Sequence, residues 1–327
     1  MSVLFVTTAG VERHDPSTVP ALLDRRDGFV WVDLPVVDDA SATLLSEVFG
    51  FHPMAVRACR ERNHVPTVHG YADHLFVVTH APEIGIAGHV HLLELDQFLG
   101  ATYLVTVHGP INPALPAEAA LRETTAVLDR IEAGRFHPES PAHLCYGITG
   151  AVIRRQRAMI DAVAVKAAGL EQRVMTSSLR NPEVLLEEMF LTRHELSTVR
   201  TMAAQGFEVF ARATGLVGFL PREGVAQLND LAEQYDRVRH MCDGEKEFLA
   251  GVIDLYQTRT TTKMTIAMER LAVLAAVTLP ITAIASVVGM NVIVNSSTRL
   301  VPLLLLLLTM VVISAVLLRW TKRQGWW

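Results

Sequence analysis

Two uncharged apolar runs near the end of the chain constrain its fold more than any other feature. The first covers residues 271–290 and the second residues 300–318, and neither contains Asp, Glu, Lys or Arg. An α-helix rises about 1.5 Å per residue, so each run is long enough to cross the roughly 30 Å hydrocarbon core of a bilayer. Residues 303–308 are all leucine and present no polar face to water. The sequence therefore predicts two transmembrane helices rather than buried helices of a soluble core.

The residues that flank these runs predict an orientation. Arg319, Lys322 and Arg323 directly follow the second run, and such basic flanks stay on the cytoplasmic side of a membrane. Two spans then return the N-terminal part of the chain to the same side. The first fifteen residues lack the basic and apolar regions of a signal peptide. We therefore expect a multi-pass protein of the plasma (inner) membrane with both termini in the cytoplasm.

The part of the chain before the spans is acidic. Of 29 basic and 34 acidic residues, 23 and 33 precede residue 263. An acidic body attracts cations and disfavours nucleic acid as a partner, although ordinary solubility explains the charge equally well. Cys59, Cys145 and Cys242 are odd in number, widely spaced and without a CxxC pair, which indicates reduced structural cysteines.

Residues 1–143 mix strand-like and helical segments. Strands are predicted by runs rich in β-branched and aromatic residues, at 29–34, 75–80, 89–93 and 97–108, the last broken by glycine. A short helix is predicted over 41–49 with Ser41 as its cap, and an amphipathic helix over 117–133. This composition predicts an α/β or α+β domain.

After about residue 141 the pattern becomes helical. We predict long helices over 146–176, over 182–213 with Asn181 as cap, and over 223–290, the last about 100 Å long. The fold class is thus an α+β cytoplasmic domain followed by long stalk helices and two C-terminal transmembrane helices. The predicted parts are a cytoplasmic α/β domain (1–143), a long-helix bundle and stalk (144–264), the stalk end and first transmembrane helix (265–291), an outer loop (292–299), the second transmembrane helix (300–319) and a basic cytoplasmic tail (320–327).

One face of the first span differs from the others. Steps of three and four residues collect small, polar or flexible side chains, namely Thr261, Thr265, Met268, Ala272, Ala275, Leu279, Thr282, Ser286 and Gly289. Such a row suits either helix packing or a narrow hydrated lumen built by several chains. Neither span contains a carboxylate, histidine or cysteine. A pore here would therefore pass ions that keep much of their water, with Asn291 at the outer mouth and Met268, Leu271 and Leu279 as apolar collars.

These segments resemble the CorA family of divalent-cation channels. The resemblance rests on Pro280-Ile281-Thr282 followed by Gly289-Met290-Asn291, and upstream on Leu255-Tyr256, Thr262-Lys263-Met264-Thr265 and Met268-Glu269-Arg270-Leu271. Weaker similarity extends over the N-terminal part, at residues 31–34, 51–53, Tyr71, Phe76, Gly100 and 103–108.

The resemblance implies a funnel-shaped homopentamer with a pore lined by the first span. It implies that Gly289, Met290 and Asn291 form the selectivity filter and bind hydrated metal ion at Asn291. Aligned without gaps, the resemblance places Thr265, Met268, Leu271, Leu279 and Thr282 in the pore. The row of small and polar side chains on the first span adds Ser286 to this set. The same register puts a metal-sensing carboxylate near Asp230, with Glu233 and Asp236 close by. Mg²⁺ would be both the transported and the regulatory ion.

Three positions depart from the family pattern. Thr265 stands where the family usually has asparagine, Val288 replaces an aromatic residue before the tripeptide, and the loop 292–299 lacks acidic residues and ends at Arg299. These differences leave the ion open, with Co²⁺, Ni²⁺ and Zn²⁺ as alternatives to Mg²⁺.

Histidines offer a second candidate metal site. His89 and His91 stand two residues apart in a predicted strand and could hold Zn²⁺ with His80 or His74, although scattered surface histidines are the simpler interpretation. No HExxH, Walker loop or GxGxxG motif occurs, so we expect no enzyme.

The sequence therefore predicts a divalent metal-ion channel or transporter for Mg²⁺ influx. Two alternatives remain open: a zinc transporter of the same superfamily, and a membrane scaffold that senses metal without conducting it. The expected partners are divalent cations, membrane lipid and further copies of the chain.

Overall fold

The structure is a computed structural model that describes residues 1–8, 10–85, 89–110, 112–113, 115–176, 182–289 and 300–323. The chain divides into two compact units, residues 1–252 and 253–327. The boundary between them falls inside one long helix. The segment boundaries predicted from the sequence stay predictions.

A seven-stranded sheet forms the N-terminal part of the first unit. Its strands are β1 (Ser2–Thr7), β2 (Gly10–His14), β3 (Gly28–Leu34), β4 (Thr67–Gly70), β5 (His74–Ile84), β6 (Val90–Gly100) and β7 (Tyr103–His108). They lie in the order β2-β1-β3-β7-β6-β5-β4, and β3 pairs with β7 in parallel whereas the neighbours on either side pair antiparallel. The strands predicted at 89–93 and 97–100 are one strand, because residues 94–96 continue the pairing with β5.

Both faces of this sheet are covered, which explains the nearly continuous apolar runs of its strands. Leu4, Trp31 and Leu104 point into one core, and their neighbours Phe5, Val32 and Val105 point into the other. The second core is closed by short helical segments, namely α1 (Val19–Leu23), α2 (Asp39–Thr43) with the π-helical turn Leu44–Val48 that continues it, and α3 (Pro53–Ala58). The prediction that Ser41 caps the short helix expected over 41–49 is wrong. α2 begins at Asp39 and its N-terminal cap is Asp38, whose carboxylate accepts a hydrogen bond from the Ser41 backbone N–H over 2.7 Å.

The first core is closed by longer helices. These are α4 (Ala117–Glu132), α5 (Pro141–Thr176), α6 (Pro182–Ala213) and α7 (Arg222–Gly289). The predicted helix bounds are confirmed for α6 and within one residue for α4 and α7, while α5 begins five residues earlier than predicted. Asn181, the predicted cap of α6, lies outside the described residues.

The second unit holds the end of α7 and the final helix, α8 (Leu300–Arg323). α7 and α8 each contain a stretch long and apolar enough to cross a membrane. Large apolar side chains on both helices are exposed, with Leu279 66% and Val301 68% accessible. Apolar surface of this extent is unfavourable in water and suits contact with lipid or other helices.

Candidate functional site

The six predicted pore-lining residues lie on one face of α7. Successive residues of an α-helix turn by about 100°, so these side chains fall within an arc of about 120°. All six are exposed, including the large apolar side chains of Met268, Leu271 and Leu279. Met290 and Asn291 of the predicted filter lie outside the described residues, and Gly289 is the last residue of α7.

Threonine hydroxyls on this face act as hydrogen-bond acceptors. Thr265 donates its hydroxyl hydrogen to the Thr261 carbonyl over 3.0 Å, and Thr282 donates to the Thr278 carbonyl over 2.8 Å. A hydroxyl has only one hydrogen to donate, so the remaining lone pairs of each Oγ1 are left to face outward. The face therefore offers neutral hydrogen-bond acceptors, which suit the water molecules around a hydrated cation.

Two carboxylates lie on or beside the same face, Asp254 before Thr265 and Glu269 one turn after it. An open groove on α7 is lined by threonines together with Asp254 and Glu269, the full set being Asp254, Gln257, Thr258, Thr261, Thr262, Thr265, Ile266 and Glu269. Sequence reasoning missed both acids as candidates. The signal was present in the spacing, because Asp254, Thr258, Thr261 and Thr265 continue the same row at steps of three and four.

Asp230, the predicted metal-sensing residue, is held by neighbours in the first unit. Its Oδ2 accepts hydrogen bonds from Tyr146 Oη at 2.7 Å and Gln234 Nε2 at 2.6 Å, and Arg237 Nη2 lies 3.9 Å from its Oδ1. The hydrogen bond from Tyr146 is the main reason that the pKa of Asp230 is lowered. The carboxylate is therefore charged and partly satisfied, with Oδ1 left for a further ligand.

The two acids near Asp230 are also close to arginines. Asp236 accepts hydrogen bonds from Nε and Nη2 of Arg239, and Glu233 lies 3.9 Å from Arg237. Among the residues that the structure describes, no group of three His, Cys, Asp or Glu side chains is placed to hold a metal ion. The role of Asp230 in metal sensing therefore stays a prediction.

The histidine site considered from the sequence does not form. In the β5–β6 pairing His80 lies opposite Glu94 and His91 opposite Glu83. Since His91 and Glu94 are three residues apart on β6, His80 and His91 point to opposite faces of the sheet. His80 Nε2 is 2.7 Å from the Asn63 carbonyl, and His91 Nδ1 is 3.1 Å from the Asn112 amide. These histidines have structural partners and do not converge.

The fold and the exposed face of α7 define an integral membrane protein with a large N-terminal α+β body. The family described as CorA-like Mg²⁺ transporter protein matches residues 26–323, so the chain belongs to the CorA family. The predicted family and fold class are confirmed, and membership makes the chain a divalent metal-ion transport protein. Members of this family are transporters, which is consistent with the expectation that the chain is not an enzyme.

Individual relatives are similar to this chain in sequence or in fold. The chain is 24% identical over 263 residues to YfjQ of Bacillus subtilis (strain 168), which is provisionally named a metal ion transporter. The match covers 80% of this chain and 78% of that protein. The complete CorA magnesium transporter of Methanocaldococcus jannaschii has a similar structure, with TM-score 0.80 and 16% identity over 100% and 99% of the two chains. The ZntB cytoplasmic domain of Vibrio parahaemolyticus matches with TM-score 0.62 and 10% identity over 80% of this chain and 98% of that one.

Proposed function

We propose that this chain forms a pentameric pore that carries hydrated Mg²⁺ into the cytoplasm, with Co²⁺ and Ni²⁺ as further ions. The observation that carries the proposal is the face of α7 that offers neutral hydrogen-bond acceptors. There the hydroxyls of Thr265 and Thr282 donate their hydrogens to backbone carbonyls of the helix. Mg²⁺ releases its water reluctantly. A face that accepts hydrogen bonds from bound water, without a charged ligand, suits such an ion.

The proposed assembly places α7 of each copy around the axis. One chain contributes a single pore face, so several copies are needed to enclose a path for ions. Gly289, Met290 and Asn291 would form the outer filter, and Asp254 would concentrate cations at the opposite end, with Glu269 one turn after Thr265. Thr265, Met268, Leu271, Leu279, Thr282 and Ser286 would line the path between them. The N- and C-termini would lie in the cytoplasm.

A zinc transporter of the same family is the second candidate. The similarity of the first unit to the ZntB cytoplasmic domain supports it, as does the loop 292–299, which lacks acidic residues. The separated histidines give it no support. A scaffold that senses metal without conducting it remains the alternative from another class, because Thr265 makes a weaker polar ring than asparagine.

Ion flux into proteoliposomes tests these functions. The purified chain should admit Mg²⁺ down its gradient faster than protein-free vesicles, and uptake should not follow an imposed pH gradient. Zn²⁺ uptake that tracks the pH gradient would favour the zinc transporter. If Mg²⁺, Co²⁺, Ni²⁺ and Zn²⁺ all fail to enter, the transport functions are excluded and the scaffold remains. Chemical crosslinking should give a ladder that ends at five copies, and a ladder that stops at two would count against a pore.

A further inference from the structure

A second face of α7 carries cations rather than hydroxyls. Lys263, Ile266, Ala267 and Arg270 follow the spacing i, i+3, i+4, i+7, which places them together on one side of the helix. With Leu271 they line a surface groove of about 570 Å³.

The two cations of this groove lie outside the proposed ion pathway, with which the groove shares only Leu271 at its edge. At about 100° per residue, Lys263 and Arg270 lie about 80–100° around the helix from Leu271, the nearest pore-lining position. They lie about 140–160° around the helix from Thr265. Glu269 does not neutralise them, because it lines the other groove together with Asp254 and Thr265. Within the described part of the chain, no carboxylate lies within ion-pair distance of Lys263 or Arg270.

The groove lies where the charged part of α7 meets its uncharged apolar run. Lys263 and Arg270 directly precede the uncharged run that begins at Leu271. The groove therefore combines two cations with the apolar side chains of Ile266 and Leu271 at the level where a membrane surface would lie. An anionic headgroup bound to the cations would allow its acyl chains to run along the apolar helix.

The end of α8 adds charge of the same sign. Arg319, Lys322 and Arg323 are exposed on its last turns. If both helices cross the membrane, the short connection between them brings the start of one span and the end of the other to the same membrane surface. From residue 263 onward, Glu269 is the one acid in the sequence, so this surface level is strongly basic.

We propose that the groove of Lys263, Ile266, Ala267, Arg270 and Leu271 is a binding site for an anionic phospholipid of the membrane. The phosphate of a phosphatidylglycerol-type headgroup would pair with Lys263 and Arg270, and the basic end of α8 would raise the local concentration of such lipids. The inference rests on the membrane insertion of the proposed function, and it goes beyond that function because it assigns a ligand to two cations that lie outside the ion pathway.

Spin-labelled lipids test this site on the full chain in phosphatidylcholine vesicles. Spin-labelled phosphatidylglycerol and phosphatidylcholine are compared by the fraction of each that the protein immobilises. Wild type should associate with phosphatidylglycerol about fivefold more strongly than with phosphatidylcholine. The double variant Lys263→Gln/Arg270→Gln should lose this preference, and Lys263→Arg/Arg270→Lys should keep it.

A matched control removes the same charge elsewhere on α7. Arg222→Gln/Lys246→Gln replaces two exposed cations that lie at least 17 residues, or about 25 Å along the helix, before Lys263, and it should retain the preference. Equal association of both lipids with wild type would overturn the proposal, as would an unchanged preference in Lys263→Gln/Arg270→Gln. Loss of the preference with inorganic phosphate, but not with chloride of the same ionic strength, would assign the groove to free phosphate instead and also overturn it.

The same spectra separate this inference from the proposed function. If phosphatidylcholine itself shows no immobilised fraction, the chain is not inserted and both proposals fail. If phosphatidylcholine is immobilised without a preference for the anionic lipid, only the proposed lipid site fails. The proposed transport function is then still tested separately by ion flux.

Discussion

Tyr146 on α5 donates its phenolic hydrogen to Asp230 on α7 over 2.7 Å, and Gln234 binds the same carboxylate oxygen. This contact joins two helices whose residues are 84 positions apart in the sequence. It fixes the carboxylate that the family resemblance assigns to metal sensing, and it leaves Oδ1 facing only the more distant Arg237.

We therefore predict opposite effects for the two partners of this contact. Asp230→Asn should reduce the rise in melting temperature that Mg²⁺ causes in the detergent-solubilised protein, because an amide is a poorer ligand. Tyr146→Phe should increase that rise, because it frees a lone pair of the carboxylate. Glu247→Gln, which removes an exposed carboxylate elsewhere on α7, serves as control. If Mg²⁺ raises the melting temperature of wild type and of all three variants equally, Asp230 does not take part in metal sensing.

The buried Arg155 should be important for stability. It donates to both oxygens of Glu123, at 2.9 and 3.1 Å, and also contacts Glu83, and it is only 10% exposed. Arg155→Met leaves the buried Glu123 without its cation, which typically costs about 3–5 kcal/mol. Thermal unfolding followed by circular dichroism measures the loss.

The control for Arg155 is a neighbouring arginine on the same carboxylate. Arg122 also pairs with Glu83, but its side chain is 54% exposed, so Arg122→Met should cost no more than about 1 kcal/mol. Equal losses for the two variants would show that burial does not govern the strength of this network.

Packing between α6 and α7 should tolerate no side chain at Gly206. A Cβ there would lie 2.6 Å from the ring of Tyr235, a fully buried residue that stacks on Phe210. Gly206→Ala should therefore destabilise the protein by about 1–3 kcal/mol through overpacking. At Gly244 nothing lies within 4 Å of the added atom, so Gly244→Ala should stabilise α7 by about 0.5–1 kcal/mol. Opposite signs in paired thermal melts are the expected result.

Asp96 should make stability depend on pH. It is fully buried on β6, and burial, followed by the charge of Glu94, raises its pKa well above the usual range of an aspartate. A raised native pKa means that the protonated carboxyl contributes stability below the unfolded pKa, which is lost as pH rises through the native pKa. Asp96→Asn keeps the neutral form, so its melting temperature should fall less than that of wild type between acidic and alkaline pH. Asp161→Asn, an exposed aspartate on α5, should behave as wild type.

The sequence predicts much of this fold because its signals are local. Helical periodicity defines α6 and α7 closely, and the absence of charge defines both spans. Strand pairing is not local, so the sequence could not show that His80 and His91 face opposite sides of the sheet. Helix caps depend on single hydrogen bonds, and Asp38 takes the role predicted for Ser41.

The candidate site divides in the same way. The row of small and polar side chains on α7 follows from spacing, as does its extension to Asp254, whereas the register that assigns the predicted pore positions comes from the family resemblance. The contact between Tyr146 and Asp230 depends on which helices pack together, and no sequence pattern indicates it.

Uptake of Mg²⁺ into proteoliposomes by wild type, Asn291→Ala and Asn295→Ala tests the central proposal most directly. Asn295 belongs to the predicted outer loop, residues 292–299, so its substitution removes the same amide group four residues away in the sequence. We predict Mg²⁺ uptake by wild type and by Asn295→Ala, and none above protein-free vesicles by Asn291→Ala. Equal uptake by Asn291→Ala and wild type would contradict a filter at Gly289, Met290 and Asn291.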